Sequence, residues 1–163
     1  MAHKIREVYI VHHSHTDVGY TDLQEQVIYN QANNIRRAVE LIEEGLEKGT
    51  NQKDLKWNCE TWYCVEQFLK AATKEEKKTF FDLVKKNSIG LSANYLNFND
   101  LADCEYMNEK IHDMQEVCAK EGITVKTAMF ADINGISMGQ RDAMLANGVE
   151  FLYTNIHTHH GMY

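Results

Sequence analysis

Apolar positions along the chain follow two different periods, and the switches between them lay out the elements. Val8 to Val11 is a continuous apolar, β-favouring run, which predicts a first strand buried on both faces. Thr21-Asp-Leu-Gln24 then has the form of a capping box, and Ile28, Ala32, Ile35, Val39, Ile42 and Leu46 recur at steps of four and three. That spacing predicts an amphipathic helix stopped by Gly49, with Arg36, Glu40, Glu43, Glu44 and Glu47 mostly in water. Leu55 to Glu60 predicts a second strand, followed by an aromatic- and Cys-rich helix from Thr61 to Ala72. Thr73-Lys-Glu-Glu76 is another capping box and opens a helix containing Phe80, Phe81 and Val84. Ile89 to Phe98 predicts a third strand. The helix after it, Asp103 to Glu121, carries Met107, Ile111, Met114 and Cys118 on one side and ends before Gly122. Val125 to Phe130 predicts a fourth strand, Ser137-Met-Gly-Gln140 caps a helix to Asn147, and Phe151 to Ile156 predicts a fifth strand.

Strands alternating with helices predict an α/β fold of right-handed βαβ units around a parallel sheet. Functional groups in such folds collect beyond the carboxyl ends of the strands. Each predicted strand ends in polar residues: His15 and Asp17 after the first, Glu60 after the second, Asn97, Asn99 and Asp100 after the third. Asp132 follows the fourth, and His157, His159 and His160 follow the fifth. Polar residues at strand ends are also ordinary caps, but their gathering on one face points to an enzyme.

Composition narrows the field further. The chain has 163 residues, 44% hydrophobic and 25% charged, which suits one globular domain over residues 1–163. Its formal charge of -7 argues against nucleic acid or an anionic membrane as partner. Cys59, Cys64, Cys104 and Cys118 form no C-x-x-C pair, so they read as buried thiols of a reducing compartment. With no leader-like or membrane-length apolar run, a cytoplasmic location is expected. A fifth strand lacking its returning helix, in a chain shorter than the roughly 250 residues of a closed barrel, suggests the N-terminal part of a longer polypeptide.

The densest chemistry lies in His12-His-Ser-His-Thr-Asp17. Side chains two residues apart on extended backbone point the same way, so His15 and Asp17 can converge in front of the first strand. An imidazole and a carboxylate there are ligands for zinc or a similar divalent ion. The competing reading is a polar turn in which Ser14, Thr16 and Asp17 act as caps.

His13-Ser-His15-Thr-Asp17-Val-Gly19-Tyr20 resembles the H-[ST]-H-x-D-x-G-[WY] signature of glycoside hydrolase family 38, the retaining α-mannosidases. Asn97-Phe-Asn99-Asp100 is similar to that family's W-x-x-N-D element, and Ala131-Asp132-Ile-Asn134-Gly135-Ile-Ser137 to its nucleophile stretch. The resemblance spans the whole chain as the first portion of a larger catalytic domain. It implies a seven-stranded parallel β/α barrel, here an incomplete barrel of about five strands. It also implies zinc held by His15, Asp17 and Asp132, with Asp132 doubling as the nucleophile of a retaining glycosidase that acts on an α-mannoside or related glycan. Tyr20 stands where the family has a Trp that stacks under the sugar, and gives a smaller platform. Glu60, Asn99 and Asp100 are further candidate substrate contacts. Val18 replaces a usual Pro, and Ile133 to Ile136 replaces P-F-G-H. The family's fourth zinc ligand and its acid/base Asp are expected beyond residue 163, so the isolated chain should have no useful glycosidase activity.

Two other classes fit parts of the pattern. A zinc-dependent carbohydrate deacetylase of related barrel fold would use His157 and His159 as extra imidazoles around a metal-bound water. A non-catalytic domain would self-associate through an open strand edge. A metallo-β-lactamase-like H-x-H-x-D reading fails at Val18, where that motif needs another His, and in its strand-rich fold.

Overall fold

A computed structural model describes residues 4–97, 102–133 and 135–155. Helix α1 runs Gln24–Lys48, followed by a 3-10 turn at Asn51–Asp54 and strand β1 at Trp57–Asn58. Then come α2 (Trp62–Ala71), α3 (Lys74–Lys85), β2 (Ile89–Gly90), α4 (Cys104–Lys120), β3 (Thr127–Ala131), α5 (Met138–Ala146) and β4 (Phe151–Asn155).

The helices follow the periodicity closely; of the expected strands, the fourth and fifth form as β3 and β4, the second and third shorten to two residues each, and the first does not form. Among the described residues, β1 pairs in parallel with β2, and β3 in parallel with β4, as two separate two-stranded sheets. No barrel closes, and the expected five-stranded barrel is overturned. Val8 to Val11 forms no strand: its four residues are 58 to 83% exposed, and only an isolated bridge from His13 to Asn58 follows it. The expected third strand shrinks to Ile89–Gly90 for a visible reason. Beyond it, side chains replace the ladder to β3. Ser92 Oγ accepts from the Met129 N–H at 2.9 Å, Thr127 Oγ1 donates to the Leu91 carbonyl at 3.1 Å, and Asn94 Nδ2 donates to the Met129 carbonyl at 3.1 Å. Main chain meets main chain there at Ala93 N–H to the Thr127 carbonyl, 2.9 Å. Hydroxyl and amide groups compete for backbone partners in this way wherever they lie alongside a strand.

α1 buries Val27, Ala32, Ile35, Ala38, Val39, Ile42 and Gly45. Leu46, expected on that stripe, is 48% exposed. Gly45 takes the contact instead, because a Cβ there would run into the backbone of Lys53 on the 3-10 turn. The expected capping box at Thr21 is also absent: the N-cap is Leu23, with no side-chain bond. Gly49 does end the helix in the left-handed conformation, at φ 66°.

α2 and α3 pack Phe68, Phe80 and Leu83 into a core continuous with Ile42, Ile89, Ile111 and Met114, all nearly or fully buried. Cys59, Cys64 and Cys118 are buried free thiols; Cys104, also free, is exposed at the start of α4, against expectation. The Thr73 box forms in full: Thr73 Oγ1 accepts from the Glu76 N–H at 3.2 Å, and Glu76 Oε2 accepts from the Thr73 N–H at 2.7 Å. Thr73→Ala is expected to cost about 1 kcal/mol, read as a lowered urea midpoint with an unchanged slope. At α5 the corresponding box forms by half. Ser137 Oγ accepts from the Gln140 N–H, while the buried Gln140 side chain makes no return bond.

Candidate metal centre

The extended backbone from His12 to Asp17 is fastened to the rest of the molecule at several points. The Asn58 N–H donates to the His12 carbonyl at 2.8 Å. Gln31 Nε2, on α1, donates to the His15 carbonyl at 2.7 Å, and Asn34 Nδ2 donates to Ser14 Oγ at 3.1 Å. Thr16 is buried, its hydroxyl 3.4 Å from Cys64 Sγ and its N–H donating to Glu60 Oε2 at 2.8 Å. With Thr16 anchored inward, its neighbours His15 and Asp17 both reach the opposite side, and His15 Nε2 lies 3.2 Å from Asp17 Oδ1.

Asp132 arrives from the other half of the chain. It follows the last residue of β3, and its N–H donates to the Asn155 carbonyl at the end of β4, 2.9 Å away. Asp132 has φ 60°, the left-handed region, which Asp and Asn tolerate better than other side chains. That turn brings Oδ2 to 3.7 Å from His15 Nε2. One donor atom from each of His15, Asp17 and Asp132 falls within 4.8 Å of the others.

The donor set and spacing fit a divalent ion. Zinc bonds of about 2.0–2.2 Å in tetrahedral geometry place ligand atoms roughly 3.3–3.6 Å apart. The separations of 3.2 and 3.7 Å need little adjustment to meet that. One imidazole with two carboxylates offers ligands that zinc and other divalent ions accept. The side chains of His15, Asp17 and Asp132 are 31, 41 and 45% exposed, so the group is open to solvent.

Behind the ring, His15 Nδ1 lies 2.9 Å from Oε1 of Glu60, whose side chain has no exposed surface. The bond to Glu60 is the main cause of a raised His15 pKa; Glu60, Asp17 and Asp132 add charge attraction, and burial opposes them. The folded-state value therefore lies above the ordinary 6.5. In the metal-free protein, the stabilisation this gives is complete below the unfolded value and lost as pH rises through the folded one. Wild type is accordingly expected to lose stability relative to His15→Gln between about pH 6 and about pH 9. Gln does not titrate but can still donate to Glu60. Paired urea titrations at the two pH values check this, and a constant difference would refute it.

His15, Asp17 and Asp132 thus meet at one point, and Glu60 stands behind them, away from solvent. Tyr20 lies on the turn after Asp17 and is 92% exposed. Asn99, Asp100, Asn134, His157 and His159 lie outside the described residues. The supporting roles of Gln31 and Thr16 escape motif reading. Gln31 carries one usable signal: it sits four residues from Val27 and from Ile35 on a face otherwise apolar, where a polar side chain needs a partner.

No protein-family model matches the chain, and no curated protein matches it in sequence. Among the described residues, no helix is long and apolar enough to cross a membrane.

Proposed function

We propose that this chain carries the zinc-binding part of a retaining, α-mannosidase-like glycoside hydrolase. The observation that supports the reading is the meeting of His15 and Asp17 with Asp132, from segments far apart in sequence, at distances a single divalent ion would bridge. The two segments are those that resemble family 38, and the resemblance assigns both to one metal. Zinc, when bound, supplies a Lewis-acidic point that grips sugar hydroxyls and opposes the charge of the carboxylates.

The nucleophilic half of the reaction falls to Asp132. In this reading Asp132, at the exposed edge of the group, attacks an anomeric carbon with one oxygen while the bond to the leaving oxygen breaks. The products are a glycosyl ester on Asp132 and an alcohol protonated by the acid/base carboxylic acid that the resemblance places beyond residue 163; water, deprotonated by that same group, later cleaves the ester. Glycan substrates of α-mannoside type are the partner class. A reducing, cytoplasmic setting accords with four free thiols, three of them buried.

The test isolates the nucleophile. A 5-fluoro-α-mannosyl fluoride needs no proton for its fluoride to leave, so it reports on Asp132 without an acid catalyst. Zinc-loaded protein is expected to gain one glycosyl mass on the peptide containing Asp132. Zinc-loaded protein that stays unlabelled would reject the glycosidase reading.

A further inference from the structure

We propose that Glu60 is a positioning residue that fixes which nitrogen of His15 carries the proton, leaving Nε2 bare for a metal; this rests on the metal-centre reading above. Glu60 has two oxygens and both are used from within. Oε2 accepts the Thr16 N–H at 2.8 Å, and Oε1 faces His15 Nδ1 at 2.9 Å. The backbone N–H of Thr16 can only donate. A carboxylate can only accept, so the remaining bond requires a proton on Nδ1. The neutral ring then has its lone pair at Nε2, the atom 3.2 Å from Asp17 Oδ1 and 3.7 Å from Asp132 Oδ2. A metal-binding imidazole is typically held this way, with the distal N–H on a carboxylate that orients the ring and raises its basicity.

Glu60 is well fitted to the task. Its side chain has no solvent exposure, so water does not compete for Oε1, and it lies between β1 and α2, two residues before the helix begins. On this proposal Glu60 acts on the ring and not as a substrate contact. Substrate would meet Asp132 and Asp17 in front of the ring, while Glu60 acts through the ring from behind.

The substitution Glu60→Gln separates this role from simple packing. The amide keeps the shape but has one acceptor and one donor end. Thr16 cannot reverse its N–H, whereas His15 can change tautomer. The amide oxygen therefore goes to Thr16, the NH2 faces Nδ1, and the imidazole proton moves to Nε2. That places a hydrogen on the atom the metal needs.

Two readouts on metal-free and zinc-titrated protein test this. Long-range proton–nitrogen NMR, at alkaline pH where the ring is neutral, is expected to show the Nδ1–H form of His15 in wild type and the Nε2–H form in Glu60→Gln. Zinc affinity is expected to fall by about ten- to a hundredfold in the variant. An Nε2–H ring in the wild type overturns the proposal even if the variant does not fold. So does a folded variant with unchanged tautomer or unchanged zinc affinity. Failure of the wild type to bind zinc, with the Nδ1–H form present, would remove the metal-centre reading while leaving the orienting role of Glu60 in place.

Discussion

Chelator-stripped wild-type protein is expected to take up near-stoichiometric zinc, and Asp132→Asn to take up almost none. The substitution is chosen to leave the fold alone. Asn keeps the size of Asp and shares its tolerance of the left-handed backbone at φ 60°. It removes the anionic donor that the β3–β4 half contributes. His15→Ala should abolish binding as well, but it also strips a partner from buried Glu60, and that costs about 1–3 kcal/mol of stability by itself. The asparagine variant is therefore the cleaner measurement. Zinc at about 100 times its dissociation constant adds about 2.7 kcal/mol to stability. At about 2–4 °C per kcal/mol for a chain of this size, the wild-type melting temperature should rise by several degrees. Asp132→Asn should show no rise. Equal zinc content in variant and wild type would separate Asp132 from the site.

The largest loss of stability is expected from Phe80→Ala, about 3–5 kcal/mol. Phe80 has no exposed surface and sits between Phe68 and Phe81, with ring centroids 5.2 and 5.3 Å away. Truncating it opens a cavity where α2 and α3 meet, and rings held from both sides have little room to collapse into it. Against a typical domain stability of about 5–15 kcal/mol, that loss would leave a sizeable unfolded population. Leu46→Ala is the matched control. Its residue is 48% exposed, so the change should stay within about 0.5 kcal/mol. Urea midpoints decide both, and a Leu46→Ala loss comparable to that of Phe80→Ala would contradict the packing of α1.

The contrast between Leu46 and Gly45 shows how far sequence reading reaches here. Helical periodicity located α1 to α5 because each buries a face, and burial leaves a repeat in the sequence. It misjudged Leu46 because the contact there is made by absence. Gly45 admits the 3-10 turn, and an apolar count gives glycine no weight. Strands were harder. Val8 to Val11 has the composition of a buried strand, but composition does not supply a partner, and the run lies exposed. Residues 91–97 carry the same kind of strand signal. Ser92 and Asn94 instead take backbone partners from β3, which divides one expected sheet into two. The meeting of His15, Asp17 and Asp132 was legible because polar residues crowd together at His15 and Asp17, and because the Asp132 stretch resembles a known motif. The sequence marks Glu60 only by its position at a strand end, and nothing local to it shows that it faces inward toward an imidazole.

The two short sheets give the proposed ion a mechanical part as well. His15 and Asp17 belong to the edge beside β1, and Asp132 to the tip of β3. Few main-chain bonds join those regions, and side chains carry much of the seam between them. An ion held by all three residues would close a covalent circuit through most of the polypeptide. Closing so long a circuit removes freedom chiefly from the unfolded chain, and its benefit grows only slowly with further length. Occupancy would thus act as a clasp across the seam, slowing its spontaneous parting and shielding it from proteases.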